Sequence, residues 1–281
     1  MKCSLEWNLF HLRSATLEAR LSSLVRLVCQ GCLKILRALV CVRGATDSKA
    51  TAIMEVGGGV DAHRVHLKGR EGHVKGDILI DLTVGSMVHH LFAACDFFKH
   101  IIVLKMRDRC IMEMKRWVDS RTGAFDWNHA TQLHVDSVGK SDQLLDKEGK
   151  VRSALQHVVK CNLEKEDMMD PIVLPPADCV ISGWLLDYIC KNQDDYMRYL
   201  RKFSSLLKPG GRIILLSCLE NTYFKFGKDK FHTFSFDADF ARKALVAEGF
   251  IIDRCEVKKR TAVSDLTDYK GMLFIAAHKD K

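Results

Sequence analysis

The sequence predicts a doubly wound α/β domain on a mostly parallel, seven-stranded sheet with an antiparallel edge. Three observations carry that prediction. Short apolar runs alternate with amphipathic stretches from Lys75 onward. Between Pro175 and Leu216 one full unit reads strand, helix, glycine turn, strand, and its two continuously apolar strands require a parallel pairing through a right-handed crossover. The last two apolar runs follow each other with no helix between them, so they pair antiparallel.

In chain order, Ile78–Leu82 reads as a strand, Met87–Cys95 as a helix, Ile101–Leu104 as a strand and Arg109–Val118 as a helix. Gln132–Val135 reads as a weak strand and Leu144–Val159 as a helix. Ala177–Ser182, bounded by Pro175-Pro176 and Gly183, reads as a buried strand. From Asp194 to Leu207, Tyr196, Tyr199, Leu200, Phe203 and Leu206 recur at helical spacing. Asp194-Asp195 complements the positive end of that helix, and Lys208-Pro209-Gly210-Gly211 stops it. Ile213–Leu216 is the next strand, Asp237–Glu248 a helix ended by Gly249, and Phe250–Val257 and Met272–Ala277 are the closing strands.

The chain has 281 residues, enough for one large core with an appendage. Its net charge of +8 is uneven: residues 1–75 hold twelve Lys or Arg against six Asp or Glu, which leaves +2 for the rest. A basic stripe over the main domain, the footprint of a nucleic-acid binder, is therefore missing. No run of eighteen apolar residues occurs, so no membrane span is expected. The division is a basic helical arm and linker at residues 1–74 and a folded domain at residues 75–281. Ala15–Val42 is amphipathic, acid-poor and arginine-bearing, which suits a helix packed on the domain, a surface-lying helix or a mitochondrial targeting segment. Gly57-Gly58-Gly59 lacks a following helical pattern and makes a poor phosphate loop. The 11 cysteines, several within apolar runs, read as small hydrophobes of a reducing cytosol. Cys29-Gln-Gly-Cys32 has no second ligand pair, so no metal is expected. Neighbouring His89 and His90 face apart on a helix and read as surface or cofactor-lining side chains.

Seven segments in order carry a resemblance: GDILIDL at Gly76–Leu82, LFAACDFFKHIIV at Leu91–Val103, GAFDW at Gly123–Trp127, KCN at Lys160–Asn162, LPPADCVIS at Leu174–Ser182, LLKPGG at Leu206–Gly211 and GKDKF at Gly227–Phe231. From Lys75 to Lys281 the chain resembles the nicotinamide, phenylethanolamine and indolethylamine N-methyltransferase family. The resemblance implies a Rossmann-like methyltransferase fold, S-adenosyl-L-methionine as cofactor, and methylation of a nitrogen on a small aromatic or heteroaromatic amine by a monomer. It implies cofactor contacts at Asp81, Thr83, Gly85, Lys105, Asp108, Asn162 and Leu163, and an acceptor pocket at Asp187, Ser217 and Tyr223.

The chain departs from the family at five places. Thr83 stands where the cofactor loop has a glycine, and a β-branched side chain obstructs a close backbone approach. Lys105 stands where an acid accepts from the ribose hydroxyls, and an ammonium has no acceptor. Ser217 replaces an acceptor-orienting aspartate, and with no tyrosine before Tyr188 the family's tyrosine-rich lid is absent. Asn162, in place of an acid near the adenine, keeps an acceptor oxygen. Two readings follow: an N-methyltransferase, or a catalytically impaired homologue that keeps the fold and acts as a binding protein.

Overall fold

A computed structural model describes residues 74–137, 144–226, 229–260 and 265–280. The arm, Cys29-Gln-Gly-Cys32, the triple glycine and the start of the GKDKF segment lie outside the described residues.

The strands are β1 (Gly76–Asp81), β2 (Phe98–Lys105), β3 (Leu155–Lys160), β4 (Ala177–Gly183), β5 (Leu207–Leu219), β6 (Tyr223–Phe226), β7 (Asp229–His232), β8 (Phe250–Lys259) and β9 (Gly271–Lys279). The helices are α1 (Leu91–Ala94), α2 (Asp108–Val118), α3 (Asn128–Ser137), α4 (Leu144–Ala154), α5 (Leu185–Ile189), α6 (Gln193–Ser205) and α7 (Ala238–Ala247). Seven strands form one sheet in the order β3-β2-β1-β4-β5-β9-β8, and β6-β7 is a separate hairpin. The first five strands of that sheet run parallel, while β9 pairs antiparallel with both β5 and β8. The expected fold class and the antiparallel edge are both present.

The centre of the sheet is apolar on both faces. Leu79, Ile80, Ile101, Val180, Ile213 and Ile275 have no exposed surface. Helices cover those faces, as a buried parallel sheet demands. α6 lays Tyr196, Leu200 and Phe203 inward, all fully buried. Its first turn is capped by Asn192, whose side chain accepts from the Asp195 N–H at 2.9 Å. α7 begins in the same way, with Asp237 accepting from Phe240 N–H at 2.7 Å.

Three expectations are corrected. Gln132–Val135 belongs to α3, with Ala130, Thr131 and Val135 buried. The third strand is instead Leu155–Lys160, so the helix expected over Leu144–Val159 stops at Ala154. The physical reason is the β-branched pair Val158-Val159, which pairs with Val103 and Leu104 of β2, where a long-range ladder overrides local helical pattern. In the third case, Met87–His90 is not helical, with a turn at His89-His90, and only Leu91–Ala94 of the expected first helix is helical.

Lys208–Gly211 bulges out of β5, and the register with β4 jumps from Ala177↔Leu207 to Cys179↔Arg212. Gly210 supplies the positive φ of 72° that this bend needs. Among the described residues no helix is long and apolar enough to cross a membrane.

The start of the central strand is tied to β4 through a side chain. Asp178 accepts from the N–H groups of Asp77 (2.8 Å) and Ile78 (2.9 Å), and pairs with Lys208 at 2.9 Å. A Cβ on Gly76 would lie 2.3 Å from the Asp178 Cβ. Gly76→Ala is therefore expected to displace Asp178 and lower stability by roughly 1–3 kcal/mol. Urea denaturation checks it, and an unchanged midpoint would mean the carboxylate yields freely.

Candidate functional site

The order of strands reverses between β1 and β4: β2 and β3 lie on one side of β1, and β4 and β5 on the other. In open parallel sheets the carboxyl ends at such a reversal form the binding crevice. Asp81 closes β1, Lys105 closes β2, Gly183 closes β4, and Ser217 lies near the end of β5. The fold therefore brings three expected residues, Asp81, Lys105 and Ser217, to one edge, with Gly183 of β4 beside them.

At the β1 end, four side chains form one buried cluster. Asp81, Thr83, His90 and Lys105 are each no more than 3% exposed. Asp81 Oδ1 accepts from Thr83 Oγ1 (2.6 Å), Thr83 N–H (3.2 Å) and His90 Nε2 (2.7 Å). Lys105 Nζ donates to the Thr83 carbonyl at 2.5 Å and lies 3.4 Å from Asp81 Oδ2. Burial works most strongly against the charge on Asp81, yet the His90 and Lys105 charges and the hydrogen bonds from His90 and Thr83 together outweigh it. The carboxyl is held well below the usual carboxylate range.

Thr83 is turned inward. Its Cγ2 fills the space beside Gly183, where an added Cβ would meet it at 3.0 Å. Val84 N–H then donates to the Gly183 carbonyl at 2.9 Å, which fixes the loop to β4. Gly85 follows at φ +65°, and no described residue places an atom within 4 Å of where its Cβ would be. Asp108 stands apart from the cluster, exposed at the start of α2 and paired with Lys160 at 2.7 Å. Asn162 is exposed after β3, with its Oδ1 accepting from Glu164 N–H at 3.1 Å, and Leu163 beside it is buried.

Asp187, at the β4–β5 side, has the opposite character. It lies in α5 with 1% exposure. Oδ2 accepts from Cys218 N–H at 2.7 Å, and Oδ1 has no partner among the described residues. Burial pushes this carboxyl up to about 7, only partly offset by the Cys218 amide and the Ser217 hydroxyl. Trp184, which precedes α5, is held in the left-handed region at φ 55° by its N–H bond to the Leu216 carbonyl (2.7 Å). A non-glycine residue there stores strain of about 1–3 kcal/mol, typical of sites that position a side chain. Its ring lies 6.0 Å from that of His89, which lies 6.3 Å from Trp127. Tyr223 is half-buried at the start of β6, with Lys230 Nζ 4.0 Å above its ring.

Other features lead away from chemistry. The thiols of Cys179 and Cys190 are pushed far above their usual range by burial, which removes them as nucleophiles. Among the described residues no group of three His, Cys, Asp or Glu could hold a metal. An open cavity of about 1010 Å³ lies at the amino ends of β1 and β2, where Asp77, Asp96 and Asp178 already pair with lysines.

The chain matches the model of the NNMT/PNMT/TEMT family over residues 47–280, a span that begins ahead of Lys75. It belongs to that family. Nicotinamide N-methyltransferase of Homo sapiens is 33% identical over 206 residues, covering 73% of this chain and 78% of that protein. Indolethylamine N-methyltransferase of Oryctolagus cuniculus is 30% identical over 208 residues, with 74% and 79% covered. Phenylethanolamine N-methyltransferase of Homo sapiens is 27% identical over 213 residues, with 74% and 75% covered. A crystal structure of a SAM-dependent methyltransferase from Methanosarcina mazei superposes with a TM-score of 0.52 at 12% identity, covering 73% of this chain and 93% of that one, a likeness of fold alone.

Within this family member, the role of His90 was not visible in the sequence. The expectation of a helix over Met87–Cys95 turned His89 and His90 to different faces of one element. The actual turn brings His90 back onto Asp81, nine residues earlier, and no periodicity encodes that contact. Ser182, buried near the end of β4 with a hydroxyl that has no partner among the described residues, was also missed.

Two outcomes are expected. Lys105→Met leaves buried Asp81 without its ammonium but with three hydrogen bonds. The cost should fall at the lower end of the roughly 3–5 kcal/mol seen when buried pairs are broken, measured by urea denaturation. Asp187 binds a proton more tightly folded than unfolded. Stability should therefore be greatest below the unfolded carboxyl pKa and fall as pH rises from about 4 toward about 7, by up to roughly 4 kcal/mol, then level off. In Asp187→Asn that slope should vanish; a wild-type melting temperature flat across this range would show that Asp187 ionises freely.

Proposed function

We propose that the chain is an S-adenosylmethionine-dependent N-methyltransferase that methylates the nitrogen of a small aromatic or heteroaromatic amine. The observation that carries this reading is Asp187, a buried carboxyl with an open oxygen at the carboxyl ends of β4 and β5. Buried polar atoms without a partner are rare, and one in the crevice of a parallel sheet suits a ligand. The relatives support the acceptor class, since their names specify nicotinamide, indolethylamine and phenylethanolamine.

The residues at the β1 side fit the cofactor in part. The open flank of Gly85 suits a close backbone approach, and Asn162 with Leu163 offers a polar edge beside an apolar wall for adenine. Lys105 does not fit a ribose diol as it stands, because its ammonium only donates and points inward. When bound, S-adenosylmethionine supplies an electrophilic methyl group on a sulfonium.

The chain's own part is positioning and exclusion of water. For an acceptor whose nitrogen carries N–H, as in an indolethylamine or phenylethanolamine, Asp187 as a carboxylate accepts a hydrogen bond from it through Oδ1, while Cys218 N–H fixes Oδ2. Titrating near neutrality, it is also suited to hold a proton released from that nitrogen. The Ser217 hydroxyl steadies the carboxylate form. A second reading, a homologue that binds without turnover, is favoured by the inward-facing Lys105.

Methyl transfer from labelled S-adenosylmethionine to pyridines, indolethylamines and phenylethanolamines separates the two. Transfer to one of these classes is expected, and Asp187→Ala should slow turnover about a hundredfold with donor affinity nearly unchanged. Binding of the donor with no transfer to any amine would favour the second reading. Undiminished transfer in the variant would place the acceptor elsewhere.

A further inference from the structure

Ile172 and Val173 are neighbours in the chain, and they are 43% and 94% exposed. With residues 174–176 and Leu206 they line a groove of about 550 Å³ at the amino end of β4 and the carboxyl end of α6. The crevice lies at the other, carboxyl edge of the sheet. The loop that carries the apolar pair is held in place. Ile172 N–H donates to the Met169 carbonyl at 2.7 Å, and Lys202 of α6 donates to the carbonyls of Lys165 and Glu166. A contiguous apolar patch on a fixed loop marks a contact surface.

Glu166 and Asp167 also line the groove. Their neighbours Glu164 and Asp170 pair with Arg198 and Lys165, but Glu166 and Asp167 have no cationic partner among the described residues. The groove therefore suits an occupant with one apolar face and positive charge beside it.

The chain carries such a segment. In Ala15–Val42, Leu17, Leu21, Leu24 and Val28 recur at the spacing of helix-in-groove anchors. Arg20, Arg26, Lys34 and Arg37 stand against Glu18 alone, four bases against one acid, a net of +3. The segment lies wholly ahead of residue 47, where the family match begins.

The described chain begins close to the groove. Val74 is its first residue, and Gly76 packs against Asp178, two residues past Pro176. The 31 residues between Val42 and Val74 reach about 100 Å when extended, so the tether does not limit the fit and keeps the segment locally concentrated. The larger cavity at the amino ends of β1 and β2 suits the segment less. Lys75, Lys99 and Lys150 line it and repel arginines, and its acids are already paired.

We propose that the segment Ala15–Val42 of this chain docks in the groove at Ile172-Val173, with its leucines on the apolar wall and its arginines toward Glu166 and Asp167. It is held at the back of the sheet and leaves the crevice uncovered. This does not depend on the methyl-transfer reading.

The test is photo-crosslinking of the full chain from a benzophenone side chain placed at Val173. Heavy-nitrogen-labelled and unlabelled molecules are mixed, and the products are mapped by mass spectrometry. A crosslink to residues 15–42 of the same molecule is expected. A crosslink only between labelled and unlabelled copies would put a second copy in the groove and overturn the proposal. Capture of any other segment, or of none, would overturn it too. Hydrogen exchange is the second measurement. Amides of residues 17–28 should exchange slowly in wild type and at least about tenfold faster in Val173→Glu, and also when Glu166→Lys and Asp167→Lys are combined. Val173 is exposed, so Val173→Glu should keep a cooperative melt, and Val173→Leu should keep the slow exchange. Exchange already fast in wild type, or equally slow in every variant, would refute the docking.

Discussion

The site is organised around the cost of a carboxylate buried at the end of the central strand. Asp81 has no exposed surface, and an isolated ionised carboxyl there would be untenable. Its neighbours are arranged to meet that demand. The loop after β1 bends so that Thr83 presents both its N–H and its hydroxyl, the turn before α1 returns His90, and β2 extends far enough to deliver Lys105. Each of these features looks like an irregularity of its own element. Together they are one solution to one charge, and they fix the path of the chain at the point where the strand order reverses.

A second carboxyl lies at the same edge of the sheet and meets the opposite treatment. Asp187 has no cation beside it among the described residues, so burial dominates and holds its proton affinity near neutrality. Environments that push two carboxyls apart divide labour between them. Asp81 is a permanent anion that organises structure, and Asp187 is a group whose charge answers to what lies next to it. An amine nitrogen is the partner such a group suits, since its N–H groups stabilise the carboxylate and its released proton has somewhere to go.

Much of the fold was legible in the sequence because burial on both faces leaves a continuous apolar run, as in Ala177–Ser182 and Ile213–Leu216. Helix stops were legible where proline and glycine carry them, at Lys208–Gly211 and Gly249. The third strand was not, because Leu155–Lys160 sits at an edge with Gln156 and His157 exposed and lacks an apolar run. Its pairing with β2, which nothing local announces, decides its state. The site divided in the same way. Several of its members were named through the family resemblance, but His90 was not, and the contacts among them were not legible. The resemblance put Lys105 at the ribose position, where it has no acceptor to offer, and its ammonium faces the protein's own acceptors. Asp108, weighed as a substitute acid, pairs with Lys160 outside the cluster.

Thr83, His90 and Lys105 are better understood as one unit than as three separate features. Lys105 needs acceptors, and the bend that frees the Thr83 carbonyl also aims the Thr83 hydroxyl at Asp81. That bend is possible because Gly183 leaves room for the Thr83 methyl. His90 and Thr83 saturate Oδ1, which leaves Oδ2 for the ammonium. An aspartate placed at position 105 alone would set a second carboxylate near Asp81 in the same dry space, where like charges within a few ångströms repel and one must take up a proton. The acid that a ribose-binding strand end ordinarily carries is therefore incompatible with this Asp81 environment unless the new carboxylate turns outward to solvent. What the sequence presents as the loss of a single acceptor is, in the folded chain, a coupled network, and its parts gain or lose their meaning together.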